Sequence, residues 1–190
     1  MRMKFCVVSA ICLVVSGCAS AHYNNVIPGE LNGKVRVEWM EPDRFLFTPN
    51  EDEPLTFVRH NGTEIRPGLM YTDGGSIPRP LWVLKNYSPW GFGPAFIVHD
   101  WLFVMQDCQL PGADQWTIEE VAMVMSEVMK SMMESPKFDY GNKSTVYLMY
   151  RAVQSKPAQI AWSDHDCEAP PGPAADDWRP TRTFEVSFGE

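Results

Sequence analysis

An apolar run that contains a histidine followed directly by an aspartate is the strongest constraint on how this chain can fold. The run extends from Pro94 to Met105, which is long enough for a helix, and its proline suits a first helical turn. His99 and Asp100 lie in the middle of it. Ionisable groups are costly to bury unless they are paired, so their presence among apolar neighbours indicates a site.

A polar turn rich in glycine precedes this run. It extends from Tyr71 to Arg79 and carries Asp73, two glycines that let the backbone approach a ligand closely, and a proline. Because successive residues on a helix point about 100° apart, we do not expect His99 and Asp100 to pair with each other. Each should take its partner from another segment, so we predict a contact between Asp73 and His99.

Three interpretations of this cluster follow from its residue types. In the first, His99 is the general base of a hydrolase, and Asp100 and Asp73 are catalytic residues that orient it or hold a cation. In the second, Asp73 and Asp100, together with His99, bind a divalent cation, because carboxylate oxygens suit hard cations. In the third, Asp73, His99 and the Arg79 guanidinium form a buried structural network without chemistry.

The N-terminal residues have the pattern of an export signal. Arg2 and Lys4 precede an apolar run that is too short to span a bilayer, and small residues then lead to Cys18. This ending resembles the lipobox of bacterial lipoproteins, in which the cysteine is acylated and becomes the mature N-terminus. The resemblance implies a signal peptide over residues 1–17, lipid attachment at Cys18, and a place in the cell envelope. Alanine at position 19 is similar to the signal for the periplasmic face of the outer membrane.

Charge and cysteine content limit the partners and the compartment. The formal net charge is −8, with 24 acidic and 16 basic residues, so we do not expect the chain to bind nucleic acid. Membrane contact should come from the N-terminal lipid and not from a cationic face. Cys6 and Cys12 leave with the signal peptide, so Cys108 and Cys167 remain, and outside the cytoplasm we predict a disulfide between them.

The rest of the chain predicts an α+β fold, with a small N-terminal antiparallel β-sheet followed by about three α-helices. Residues 18–33 are small and polar and predict a tether, whereas the domain extends over residues 34–156. Short alternating runs and the Asn61-Gly62 turn predict the sheet. Residues 157–190 predict a proline-rich tail with an edge strand near its end.

Two further helices are predicted after the helix that contains His99. Thr117 lies three residues before Glu120 in a capping-box pattern and opens a helix over residues 117–133. Apolar residues recur along it at helical spacing: Val121, Val124, Met125, Val128, Met129 and Met132. The third helix is predicted over residues 144–155.

Three segments together resemble a protein family. They are Thr72 to Arg79, Val98 to Phe103 and Tyr150 to Val153, and they are similar to the domain of unknown function family 1353. Its members are phage- and prophage-associated proteins with a threonine–aspartate loop and a histidine–aspartate helix. The resemblance runs over about residues 35–153 and implies a site at these motifs, without naming a reaction.

A second resemblance implies hydrolysis. A glycine-rich turn followed by His99 and Asp100 on a helix is similar to the active helix of secreted phospholipases A2, in which the histidine activates water and the aspartate binds calcium.

In family 1353 the next helix usually carries an acidic residue, whose place is taken here by Ala122. Either Glu119 or Glu120, the acids near enough, replaces it, or the site has lost its activity.

The sequence therefore favours a lipid-anchored hydrolase that acts on an ester or amide of the cell envelope. A divalent cation is the candidate cofactor. The alternative is a non-catalytic protein that binds an envelope or phage protein, in which the Asp73, His99 and Asp100 cluster is structural.

Overall fold

The computed structural model describes residues 17–40, 44–72, 91–138, 141–168 and 182–188. These residues form an α+β fold, as predicted, with an antiparallel sheet packed against helices. The strands are β1 (Glu30–Met40), β2 (Arg44–Phe47), β3 (Thr56–Val58), β4 (Glu64–Ile65), β5 (Met70–Thr72) and β6 (Arg182–Phe188). The helices are α1 (residues 17–25), α2 (Gly93–Asp107), α3 (Ile118–Glu134), α4 (Lys143–Val153) and α5 (Lys156–Asp164), with a 3-10 helix at Ala113–Gln115.

Strand β1 is the centre of the sheet. It pairs with β3 at its start, with β2 at its end, and with β6 over residues 33–39. The predicted hairpin at Asn61-Gly62 is confirmed, because it joins β3 to β4 and Gly62 has a φ of 86°, which favours glycine. Strand β2 also pairs with β5, which contacts α2 and ends at Thr72.

The predicted fold is wrong in two details. The sheet is not only N-terminal, because β6 comes from the C-terminal end and pairs along β1. Within the described residues there are five helices and not about three. Pro157 ends the third predicted helix but also occupies the first turn of α5, where its missing N–H leaves no hydrogen bond unmade. The edge strand predicted near the end of the tail is confirmed as β6, whereas helix α5 was not predicted.

The predicted tether over residues 18–33 is also wrong, because this segment packs on α3. Val26 is 2% exposed, and the Lys130 ammonium donates hydrogen bonds to the carbonyl oxygens of Tyr23 at 3.0 Å and Val26 at 2.9 Å. A lysine placed here satisfies carbonyls at the C-terminal end of α1. Backbone carbonyl groups of this segment, which a solvated tether would expose to water, are thus bonded to a side chain of α3.

Helix α3 forms as its sequence predicts. The Thr117 hydroxyl accepts a hydrogen bond from the Glu120 N–H at 3.2 Å, and the Glu120 carboxylate accepts one from the Thr117 N–H at 2.9 Å, which completes the capping box. The six apolar residues predicted for its inner face are all buried: Val121, Val124, Met125, Val128, Met129 and Met132. They belong to the same core cluster as Phe47, Phe57 and Phe96.

A buried ion pair joins the β3–β4 hairpin to α3. The Arg59 guanidinium donates two hydrogen bonds to the Glu127 carboxylate, at 2.8 Å from Nε and 2.7 Å from Nη2. The side chain of Glu127 is 2% exposed and that of Arg59 is 11% exposed. These hydrogen bonds raise the pKa of Arg59, against the opposing effect of burial. A pair of this kind fixes the hairpin at one position along the helix.

Candidate functional site

The candidate site lies where β5 meets α2. The first turns of α2 are apolar and buried, and Pro94 stands in the first turn, so the helix is anchored in the core at its N-terminal end. His99 and Asp100 follow this anchored part, on a side of the helix that is only partly covered. Thr72, the last residue of β5, is 8% exposed and faces Asp100. A rigid helix and a strand end thus position all three side chains.

Asp100 joins the other two residues. Its Oδ1 lies 2.9 Å from His99 Nδ1, and its Oδ2 accepts a hydrogen bond of 2.5 Å from the Thr72 hydroxyl. The side chains of His99 and Asp100 are 13% and 15% exposed. Within the described part of the chain, His99 Nε2 is buried and has no hydrogen-bond partner.

The expectation that His99 and Asp100 cannot pair is wrong. Their Cβ atoms diverge around the helix, but an imidazole and a carboxylate are long enough to turn back toward each other across one residue. Thr72 holds the carboxylate from its far side, which restricts its rotation. Thr72 was predicted only as part of a motif, and its position next to the predicted glycine-rich turn gave no signal of this contact.

This arrangement can fix the protonation pattern of the imidazole. A carboxylate that accepts from Nδ1–H keeps the proton on that nitrogen and leaves a lone pair on Nε2. The same carboxylate stabilises the imidazolium that forms if Nε2 takes up a proton. His99 and Asp100 therefore have the geometry of a general base and the carboxylate that orients it.

Aromatic rings cover His99 on one side. Phe103, one helical turn further along α2, has its ring centroid 4.8 Å from that of His99. Trp162 of α5 meets the Phe103 ring edge-on at 5.0 Å. Helix α5 has no buried residue, and its Trp162 is half-buried against Phe103.

A disulfide fastens α5 to α2. Cys108 follows α2, Cys167 follows α5, and the two are bonded as the sequence predicted, with their Cα atoms 4.6 Å apart. His165 Nδ1 lies 3.3 Å from the carbonyl oxygen of Gln106, which adds a second link between the same two helices. The cluster of ligand-type residues from Asp164 to Cys167 thus serves to attach α5, and its side chains are exposed.

Asp107, the last residue of α2, is next to the disulfide-bonded Cys108, and burial changes its pKa. Its Oδ1 is buried and lacks a partner among the described residues. Burial raises the pKa of Asp107, and Asp166 and Asp164 raise it further, whereas His165 lowers it. A negative charge at a helix C-terminus is unfavourable as well.

We expect Asp107→Asn to stabilise the protein at neutral pH. The pKa of Asp107 is higher in the folded protein than in the unfolded chain. The stability that Asp107 contributes is therefore fully present below its unfolded pKa of about 3.9. It is lost as the pH rises through the pKa of the folded protein. The urea midpoint of the variant should exceed that of the wild type at pH 7, and the two should converge near pH 3. Asp114→Asn, at an exposed site, is the control. A variant that is less stable at pH 7 would contradict this account.

Asp73 and Arg79 are outside the described residues, and with them the predicted contact between Asp73 and His99. No group of three or more His, Cys, Asp and Glu side chains that could hold a metal ion occurs in the ranges the structure describes. Asp100, the other predicted metal ligand, already accepts hydrogen bonds on both oxygens. Cys18 is exposed and unpaired.

The acids proposed to replace the missing one at Ala122 do not serve His99. Ala122 is fully buried in the core. The Glu120 carboxylate is used by the capping box, and Glu119 is exposed on the first turn of α3. The buried acid of this helix is Glu127, which the sequence analysis missed. Its position within the apolar face of α3 was the signal that could have found it.

No protein-family model, curated protein or solved structure matches this chain. In the part of the chain that the structure describes, no helix combines the length and the apolar content needed to cross a bilayer. The resemblance of the sequence motifs to family 1353 stays a prediction.

Proposed function

We propose that this protein is a hydrolase that uses His99 as a general base on an ester or amide of the cell envelope. The observation that carries the proposal is the contact of Asp100 with both Thr72 and His99 Nδ1, which leaves Nε2 without a hydrogen-bond partner among the described residues. A buried imidazole nitrogen without a partner is costly in a purely structural cluster. It is useful when a water molecule or a substrate supplies the partner.

In the proposed reaction Nε2 of His99 takes a proton from water as the water oxygen attacks the substrate carbonyl. The Asp100 carboxylate stabilises the resulting imidazolium, which then returns the proton to the leaving group. Thr72 acts as a positioning residue, because it contacts the carboxylate of Asp100 on the side away from His99. The Phe103 ring packs against the imidazole and restricts its rotation.

A metal ion is not required by this scheme. Asp100 uses one oxygen for His99 and the other for Thr72, so a cation shared with Asp73 would compete with the hydrogen bonds that orient the imidazole. We therefore prefer the metal-independent form. If a divalent cation does bind, Asp73 and Asp100 are the residues that would hold it, and it would polarise the substrate carbonyl.

We further propose that the protein is a lipoprotein of the family 1353 type, anchored through Cys18 at the periplasmic face of the outer membrane. The lipobox-like sequence and the exposure of Cys18 support the anchor. The motifs around Thr72, His99 and Tyr150 support the family and its phage association.

The second candidate function is a non-catalytic protein that binds an envelope or phage protein. The burial of His99 Nε2 and the cover provided by Phe103 and Trp162 favour it, because a base that water cannot reach does no chemistry. On this account the hydrogen bonds of Asp100 simply attach β5 to α2.

The rate of hydrolysis by the His99→Asn variant, compared with that of the wild type, distinguishes the two functions. The probes are p-nitrophenyl butyrate, phosphatidylglycerol vesicles and purified peptidoglycan, with product release measured by absorbance and mass spectrometry. We expect the wild type to cleave one of them and the variant to lose on the order of a hundredfold in rate or more, because asparagine cannot accept the proton. His60→Asn, the same change at an exposed turn, should keep the full rate. Equal rates for wild type and His99→Asn on every probe would overturn the proposal.

A further inference from the structure

A groove of about 420 Å³ lies between β4, α2 and the 3-10 helix, away from His99. Its volume is within the range of about 300–1,000 Å³ found for small-molecule sites. Trp101 and Trp116 line it, with Met105 between them in sequence, and Arg66 and Gln115 contribute polar groups. The groove is open enough to admit a ligand from solvent.

Both indole rings are held in place by the surrounding structure. The Trp101 ring packs on Gly68 so closely that a Cβ at that position would lie 2.6 Å from its Cη2 atom. The Arg59 guanidinium lies over the Trp116 ring, 5.9 Å from its centroid, and is itself fixed by the buried Glu127 carboxylate. Two aromatic walls that do not have to be ordered on binding reduce the entropy cost of capturing a ligand.

The polar groups of the groove indicate what kind of ligand fits. Arg66 pairs with Glu64 at 3.2 Å, and both side chains are about half exposed, so the local charge is balanced and an anion gains little. An acyl chain would cover the half-exposed Glu64 and Arg66 side chains and the Gln115 amide without offering them any hydrogen bond. A neutral sugar ring suits both surfaces, because its C–H faces pack on indole and its hydroxyls bond to carboxylate, guanidinium and amide groups.

We propose that this groove binds a neutral saccharide, whose ring packs against Trp101 and Trp116 and whose hydroxyl groups bond to Glu64, Arg66 and Gln115. The proposal goes beyond the proposed function. Trp101 follows Asp100 directly in α2, but His99, Asp100 and Thr72 are not among the residues that line the groove. In an envelope protein such a site would hold the chain on glycan.

A titration of the full chain with the trimer of N-acetylglucosamine and with maltotriose tests the proposal. Binding is followed by the shifts of the indole N–H signals in a nitrogen-15 correlation spectrum. We expect saturable shifts of Trp101 and Trp116 with at least one sugar, and a rise in Kd of tenfold or more in both Trp116→Ala and Gln115→Ala. The exposed Gln115 keeps the test valid if Trp116→Ala fails to fold.

Two control variants distinguish sugar binding in this groove from the proposed hydrolysis at His99. Trp39→Phe, a half-buried tryptophan outside the groove, and His99→Asn should both bind the sugar as the wild type does. Sodium octanoate and inorganic phosphate probe the rejected ligand classes. The proposal is overturned if neither sugar shifts the two indoles, if Gln115→Ala binds with unchanged Kd, or if octanoate or phosphate displaces the sugar.

Discussion

Glu127→Leu is expected to lower the free energy of unfolding by about 3–5 kcal/mol, the range found when one partner of a buried ion pair is removed. The Glu127 carboxylate is almost fully buried and accepts both hydrogen bonds of the Arg59 guanidinium. Without it, a nearly buried positive charge loses its counter-charge. Because 11% of the Arg59 side chain is exposed, partial hydration should place the loss toward the lower end of this range. Urea unfolding of the purified variant measures it.

The double variant Arg59→Met with Glu127→Leu separates the loss of the pair from the loss of packing. Replacing both charges with apolar side chains removes the unpaired guanidinium, so the double variant should be more stable than Glu127→Leu alone. Glu64→Gln disrupts the exposed Glu64–Arg66 pair and should cost less than about 1 kcal/mol. The single variant Arg59→Met completes the cycle. If the losses of Arg59→Met and Glu127→Leu simply add in the double variant, the ion pair contributes nothing specific.

Replacing Cys108 and Cys167 with serine is expected to lower the free energy of unfolding by about 4 kcal/mol. The two cysteines are 59 residues apart, and a cross-link over a loop of this length restricts the unfolded chain by that amount in the chain-entropy model. The native-state effect should concentrate in α5, which has no buried residue and whose other described contacts with α2 are the Trp162–Phe103 rings and the His165–Gln106 hydrogen bond. Amide hydrogens of α5 should therefore exchange faster.

Cys18→Ser is the matched control for this variant, because Cys18 is exposed and forms no disulfide. Its unfolding midpoint should equal that of the wild type in the absence of a membrane. An unfolding curve of the Cys108→Ser, Cys167→Ser variant that overlays the oxidised wild type would show that the bond adds no stability. Unchanged exchange in α5 would show that the helix is held by its other contacts.

The parts of the fold that the sequence predicted are those fixed by local signals. The capping box at Thr117 and the apolar spacing of α3 depend on residues close in sequence, and so does the hairpin at Gly62. The pairing of β6 with β1 depends on contacts between distant parts of the chain, which no local pattern reports. The N-terminal segment was misjudged for a similar reason, because its partner Lys130 is distant in sequence.

Of the three residues that meet in the candidate site, the sequence singled out His99 and Asp100 but not Thr72, and it did not predict their contacts. His99 and Asp100 were found because ionisable groups in an apolar run need a reason to be there. Their mutual hydrogen bond was missed because the directions of the Cβ atoms do not show how far the two side chains can reach. Thr72 could have been found only from the pairing of β5 with β2 and the packing of β5 on α2, which are tertiary facts.

We expect His99 to contribute more to hydrolysis than to stability, and one variant measured in two ways tests this expectation. Hydrolysis of the cleaved probe and the free energy of unfolding are determined on the same preparation of His99→Asn. We predict that the variant loses on the order of a hundredfold or more in rate while its urea midpoint stays close to that of the wild type, since asparagine can keep a hydrogen bond to Asp100. A large loss of stability with an unchanged rate of hydrolysis would contradict this expectation and assign His99 to the structure.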